Sequence, residues 1–141
     1  MTALKLAALS AVSVTAAAIT SLLGGWDAGI QSLLLFMALD YATGLIVAGV
    51  FKTSRKTAQG ALESRVAFKG LLRKGASLGV ILIACRLDRL LGTTLVRDAT
   101  VIAYCGSELL SLTENLGLMG VPLPRAVTNA IETLKGSEES K

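Results

Sequence analysis

The sequence predicts an all-α integral membrane protein, with three to four transmembrane helices and amphipathic segments that lie in the interface. Three observations carry this reading. Hydrophobic residues make up 52% of the 141 residues and charged ones 17%, where soluble domains carry about a quarter charged; the mean hydropathy is +0.64. Apolar residues run in long blocks rather than in alternation or narrow stripes. Finally, seven of the 14 basic residues fall between Lys52 and Lys74, opposed only by Glu63. A basic stretch between apolar blocks is what the positive-inside rule expects of a cytoplasmic loop. The length suits one domain, placed at 1–135 and followed by a charged tail at 136–141.

Spans are expected at about 6–26, 30–51, 75–92 and 95–119, with the basic loop at 52–74. The first block, Leu6 to Trp26, is free of charge and long enough for a hydrocarbon core of roughly 30 Å. Ser10, Ser13, Ala17 and Ser21 give it a small, weakly polar face suited to close helix contact. A signal peptide is the rival reading, since Lys5 and Ala16-Ala17-Ala18 mimic its basic start and cleavage site, but the apolar run is long for one. Gly24-Gly25, Asp27 and Gly29 then make a turn. The second block, Ile30 to Phe51, holds one charge, Asp40, near its middle, with Gly44 and Ala48 on the same face as a contact surface.

The basic loop carries Lys52, Arg55, Lys56, Arg65, Lys69, Arg73 and Lys74 at the membrane surface. Ala61, Leu62, Val66, Phe68, Leu71 and Leu72 are interspersed, so part of it is expected as an amphipathic helix on anionic lipid; a solvated linker is the alternative. The third block, Gly75 to Leu91, offers Gly75 and Gly79 as a helix-packing pair, with Arg86, Asp88 and Arg89 crowding its far end. The fourth, Leu95 to Met119, combines an apolar face (Val101, Ile102, Cys105, Leu109, Leu112, Leu116) with a polar stripe. That stripe runs through Thr100, Tyr104, Ser107, Glu108, Ser111, Glu114 and Asn115. Pro122 and Pro124 end it, and a short amphipathic helix is expected from Pro124 to Lys135. If 52–74 is cytoplasmic, four spans place both termini in the cytoplasm; if the fourth block lies in the interface, the C-terminus stays outside.

Composition narrows the chemistry. Without histidine, a Ser-His-Asp triad cannot be built, and Cys85 and Cys105, each alone in an apolar run, read as buried thiols and not as a metal site. The glycines form no phosphate loop, and Lys74 near Ser77 reads as a loop-end lysine beside a helix-contact serine. No enzyme activity, cofactor or metal is expected. Nucleic acid is not expected as a partner either, since Phe68 is the one aromatic in the basic stretch.

The intramembrane acids are the candidate functional groups. A carboxylate at a helix centre costs roughly 2.5–3.5 kcal/mol on an insertion scale. The leucines of the second block absorb Asp40, but those of the fourth offset one acid and not two. Either Asp40 and Glu108 are structural, paired with Arg86 or a backbone group, or they belong to a site.

Read together, these positions resemble the toxin-secretion and phage-lysis holin family over roughly residues 30–135. The resemblance rests on Asp40, Thr43 and Gly44, then Ser64, Lys69-Gly70 and Arg73-Lys74, then Asp88. Its most distinctive part is Glu108, Ser111 and Glu114-Asn115 followed by Gly120, Pro122 and Pro124; Ala67 stands in place of an expected glycine. The resemblance implies a protein that gathers into a large homo-oligomer in the bacterial cytoplasmic membrane and opens lesions at a set time. A muralytic endolysin or an exported toxin then passes, without direct contact being required. Two other functions stay open on composition alone: an ion or proton channel or transporter using the buried carboxylates, and a non-conducting adaptor whose basic loop recruits a soluble partner.

Overall fold

The computed structural model describes residues 2–139 as a chain of helices, with no strand among them. They are α1 (Ala3–Leu22), α2 (Ala28–Ile46, prolonged by a π-helical turn over Val47–Phe51), α3 (Ser64–Leu91), α4 (Leu95–Leu118) and α5 (Arg125–Glu139). Met1 and residues 140–141 of the expected charged tail lie outside the described residues; the rest of that tail continues α5 through Glu139.

Local chemistry sets the boundaries. The carboxylate of Asp27 accepts the amide N–H of Ile30 at 2.9 Å and so caps α2. Its far end stops at Lys52, a left-handed residue with φ 53°. The segment that follows closes on itself where Ser54 N–H donates to the Gly60 carbonyl at 3.0 Å. Gly60 has φ +72°, and a side chain there would collide with the Lys52 backbone. Helix α3 begins at Ser64, not at Gly75, so the second half of the expected surface loop is instead the start of the third helix. Residues 64–74 contain no proline and are mostly good helix formers, and nothing among them stops the helix before it reaches the apolar block. The N-terminus of α4 is capped from the preceding helix: buried Asp88 accepts the amides of Val96 at 3.0 Å and Arg97 at 2.8 Å, and the Thr93 hydroxyl at 2.6 Å.

Helices α2, α3 and α4 form the bundle. Ile30, Leu33 and Met37 of α2 pack with Ile81 and Cys85 of α3 and Val101 and Cys105 of α4. Both thiols are free and buried. Contacts run in register, Gly29 against Val101 at one end and Asp40 against Asn115 further along, so α2 and α4 are parallel. Asp88 of α3 meets the start of α4 and Lys74 meets its middle, so α3 is antiparallel to both. Ile131 of α5 is buried, and α5 packs on α4.

No residue of α1 is buried; its end is tied down by the buried Leu23, whose carbonyl accepts Arg97 Nε–H at 3.0 Å. Helices α1 and α2, the latter with its π turn, are long and apolar enough to cross a membrane. Gly75 and Gly79 do not pack against another helix of this chain: a methyl group built on either meets nothing within 4 Å. Helix α3 packs mainly on α4, through the face that buries Ile81, Ala84, Cys85 and Asp88, and this pair faces away from it.

Two substitutions separate these roles. Gly24 has φ +88°, and a Cβ there would sit 2.9 Å from Arg97 Nε and 3.2 Å from Cys85 Sγ. Gly24→Ala should therefore lower thermal stability in detergent by at least about 1–2 kcal/mol. Gly79→Ala should leave it unchanged or raise it by up to about 1 kcal/mol; a loss matching that of Gly24→Ala would contradict the packing described.

Candidate functional site: a charge cluster inside the bundle

Asp40 projects from the middle of α2 into the bundle and is buried. One carboxylate oxygen, Oδ2, takes a hydrogen-bonded ion pair from Lys74 Nζ of α3 at 2.7 Å. The other, Oδ1, accepts from Asn115 Nδ2 of α4 at 2.9 Å. The same amide group donates to the Asp40 carbonyl at 3.1 Å and to Thr43 Oγ1 at 3.0 Å. Lys74 Nζ also pairs with Glu108 of α4. One ammonium thus joins two carboxylates from two helices, and a buried amide completes the set. Gly44 lies beside this amide, and a Cβ there would sit in ordinary van der Waals contact with Asn115 Nδ2 at 3.6 Å.

The helices that meet here explain why these side chains converge. Asp40 precedes the α2–α3 connection by about as many residues as Lys74 follows it, so the two reach the same depth in an antiparallel pair. Lys74, assigned from sequence to the membrane-surface basic group, therefore belongs to the bundle interior. It takes the charge-partner role expected of Arg86, which is exposed near the other end of α3 and has no carboxylate within ion-pair distance among the described residues. The remaining basic side chains, Lys52, Arg55, Lys56, Arg65, Lys69 and Arg73, are exposed as expected of a surface group; Lys56 Nζ reaches Ser111 Oγ at 3.4 Å.

The polar stripe of α4 divides. Glu108 and Asn115 turn inward to the cluster and Tyr104 packs on the apolar core, whereas Ser107 and Glu114 stay on the outside. Ala48, within the π turn, is buried and helps line a small cavity of about 70 Å³ beside Asp40. On the other side of the cluster, a cleft of about 830 Å³ opens between α3 and α4.

A second polar layer, which the sequence did not single out, closes the opposite end of the bundle. Buried Arg97 pairs with Asp27 and, at 3.1 Å, with Asp98, in addition to its bond to Leu23. Its Nη2 is the one buried side-chain polar atom among the described residues without a hydrogen bond. The Arg97 guanidinium holds the Asp27 carboxyl below the ordinary aspartate range, reinforced by the backbone N–H of Ile30 and opposed by partial desolvation. A signal was present in the sequence: Asp27, Asp88 and Arg97 each flank the same ends of three apolar blocks.

The profile of the bacteriophage holin family matches residues 17–136, which takes in α2 to α5 and leaves most of α1 outside. An uncharacterised protein of Halalkalibacterium halodurans is 36% identical over 89% of this chain and 92% of its own length. An uncharacterised 14.9 kDa protein of Clostridium perfringens is 35% identical over 84% and 86%. A protein of Bacillus phage phi105 named "Probable holin" is 32% identical over 77% and 76%. No solved structure matches the chain.

Removing the shared cation strands two carboxylates, so Lys74→Met should cost about 3–5 kcal/mol in detergent unfolding. The fully neutral Asp40→Asn/Lys74→Met/Glu108→Gln variant should recover most of that loss. A Lys74→Met protein as stable as wild type would remove the cluster's structural role. For Asp27 the folded-state pKa is depressed, so its contribution is present above the ordinary aspartate value of about 3.9 and is lost as pH falls through the depressed one. Wild type and Asp27→Asn should differ in melting temperature at neutral pH and converge only in strong acid; convergence already near pH 5 would contradict the Arg97 contact.

Proposed function

The chain belongs to the bacteriophage holin family, and from that premise we propose that it accumulates in the bacterial cytoplasmic membrane, oligomerises there and opens large lesions. Through these a muralytic endolysin reaches the cell wall, or a toxin leaves the cell; the protein itself performs no catalysis.

The division of the α4 stripe carries this reading. Glu114 lies beside Asn115, which packs against Asp40 near the middle of α2, yet Glu114 and Ser107 are exposed on a single chain. At that depth a carboxylate facing acyl chains is costly, and no cation among the described residues pairs with it. Contact with further copies, or water between copies, removes the cost. Exposed Gly75, the open face around Gly79 and the small-residue face of α1 (Ser10, Ser13, Ala17, Ser21) suit such lateral contacts.

The parallel course of α2 and α4 supports four spans. With α2 across the bilayer, a 24-residue helix lying in register beside it crosses too, and antiparallel α3 carries the chain back from the end of one to the start of the other. The basic 52–74 stretch then lies in the cytoplasm with both termini, and Asp27 and Arg97 face outward. In this scheme the Lys74 cluster stabilises the closed protomer, and opening exchanges its internal partners for water and neighbouring subunits.

Induced expression with a cytoplasmic muralytic enzyme tests the proposal. The expected outcome is abrupt inner-membrane permeabilisation followed by lysis, with timing altered or lysis abolished by Glu108→Leu and by Glu114→Leu at equal protein levels. Ion-selective conductance without enzyme release would make the protein a channel, and binding of a soluble partner without permeabilisation would make it an adaptor.

A further inference from the structure

The cleft between α3 and α4 grades from charge to hydrocarbon along its length. Lys69, Arg73, Ser77 and Val80 follow one another on α3 at three- or four-residue spacing and share the face that lines it. They lead from the basic start of α3 toward its apolar middle. On antiparallel α4 the opposite wall runs from Ser111 at the basic end through Ser107 to Tyr104 at the apolar end. Lys56 closes the basic end.

Charge in the cleft is not balanced. Four cations, Lys56, Lys69, Arg73 and Lys74, line it against two carboxylates, Asp40 and Glu108. Lys74 bonds both acids, which leaves Lys56, Lys69 and Arg73 without a carboxylate partner among the described residues. Two positive charges are in excess. The volume, about 830 Å³, falls in the range of roughly 300–1,000 Å³ typical of small-molecule sites.

We propose that this cleft binds an anionic glycerophospholipid of the cytoplasmic leaflet. Lys56, Lys69 and Arg73 hold the phosphate, with the Ser111 hydroxyl beside it, and acyl chain lies along Val80 and Tyr104. Basic pockets between transmembrane helices on the cytoplasmic side suit phosphate headgroups, and the guanidinium of Arg73 suits bidentate contact. The apolar inner wall favours a lipid over a soluble phosphate, which has nothing to place there. The inference rests on the membrane orientation given above but not on lesion formation, so lysis and lipid binding succeed or fail separately.

Native mass spectrometry of the full chain in neutral detergent, offered phosphatidylglycerol or phosphatidylcholine, tests it. Phosphatidylglycerol should be retained several-fold over phosphatidylcholine. Lys69→Gln/Arg73→Gln should reduce that retention about tenfold or more, given about 1 kcal/mol per basic residue. The charge-preserving Lys69→Arg/Arg73→Lys should keep it, as should Lys52→Gln/Arg55→Gln, which alters basic residues outside the cleft. Equal loss in the two neutralised pairs would mean diffuse surface attraction and overturn the site. So would equal retention of the two lipids, or displacement by inorganic phosphate at matched concentration.

Discussion

Lys74 stands between two carboxylates carried by two different helices, and much of the bundle is arranged so that it can. An ammonium or a carboxylate alone at that depth is expensive; three charges brought together with a donating amide are far less so. That requirement fixes the relative depth of α2, α3 and α4, because Asp40, Lys74, Glu108 and Asn115 must meet at one level. It also fixes direction, since α3 has to return antiparallel for its eleventh residue to reach the middle of α2.

The bundle therefore has a layered build. The apolar layer of Ile30, Leu33, Ile81 and Val101 lies between two polar ones, the Lys74 cluster and the clasp of Arg97 with Asp27 and the end of α1. Apolar contacts between helices are weakly specific in lipid, where the solvent is as apolar as the side chains. The polar layers supply the specificity, setting register and pairing. Only the end of α1 joins the clasp, and along the helix itself no residue is buried.

The same arrangement leaves part of the polar stripe unsatisfied in one copy. Glu108 and Asn115 are served from within, while Glu114 and Ser107 are not. A protomer built this way meets the needs of its inward acids by itself and, under the proposed function, those of its outward ones through further copies. In the proposed lytic role these are two requirements of one molecule, a folded monomer that accumulates and a surface that gathers copies.

Composition and block length were enough to determine a helical membrane protein, the limits of α2 and α4 within a residue or two, and Asp40 and Glu108 as costly groups needing partners. Charge rarity makes such groups conspicuous in an apolar run. Partner choice was decided by the tertiary structure, because an ion pair depends on depth and facing, and depth depends on where a helix starts. The start of α3 at Ser64 lay inside a stretch whose charges resembled a loop; moving it there carried Lys74 from the surface to the interior and left Arg86 outside. Likewise the spacing of Gly75 and Gly79 marked a contact face, but which neighbour it meets is a property of packing, and within one chain α3 turns its other side to the bundle.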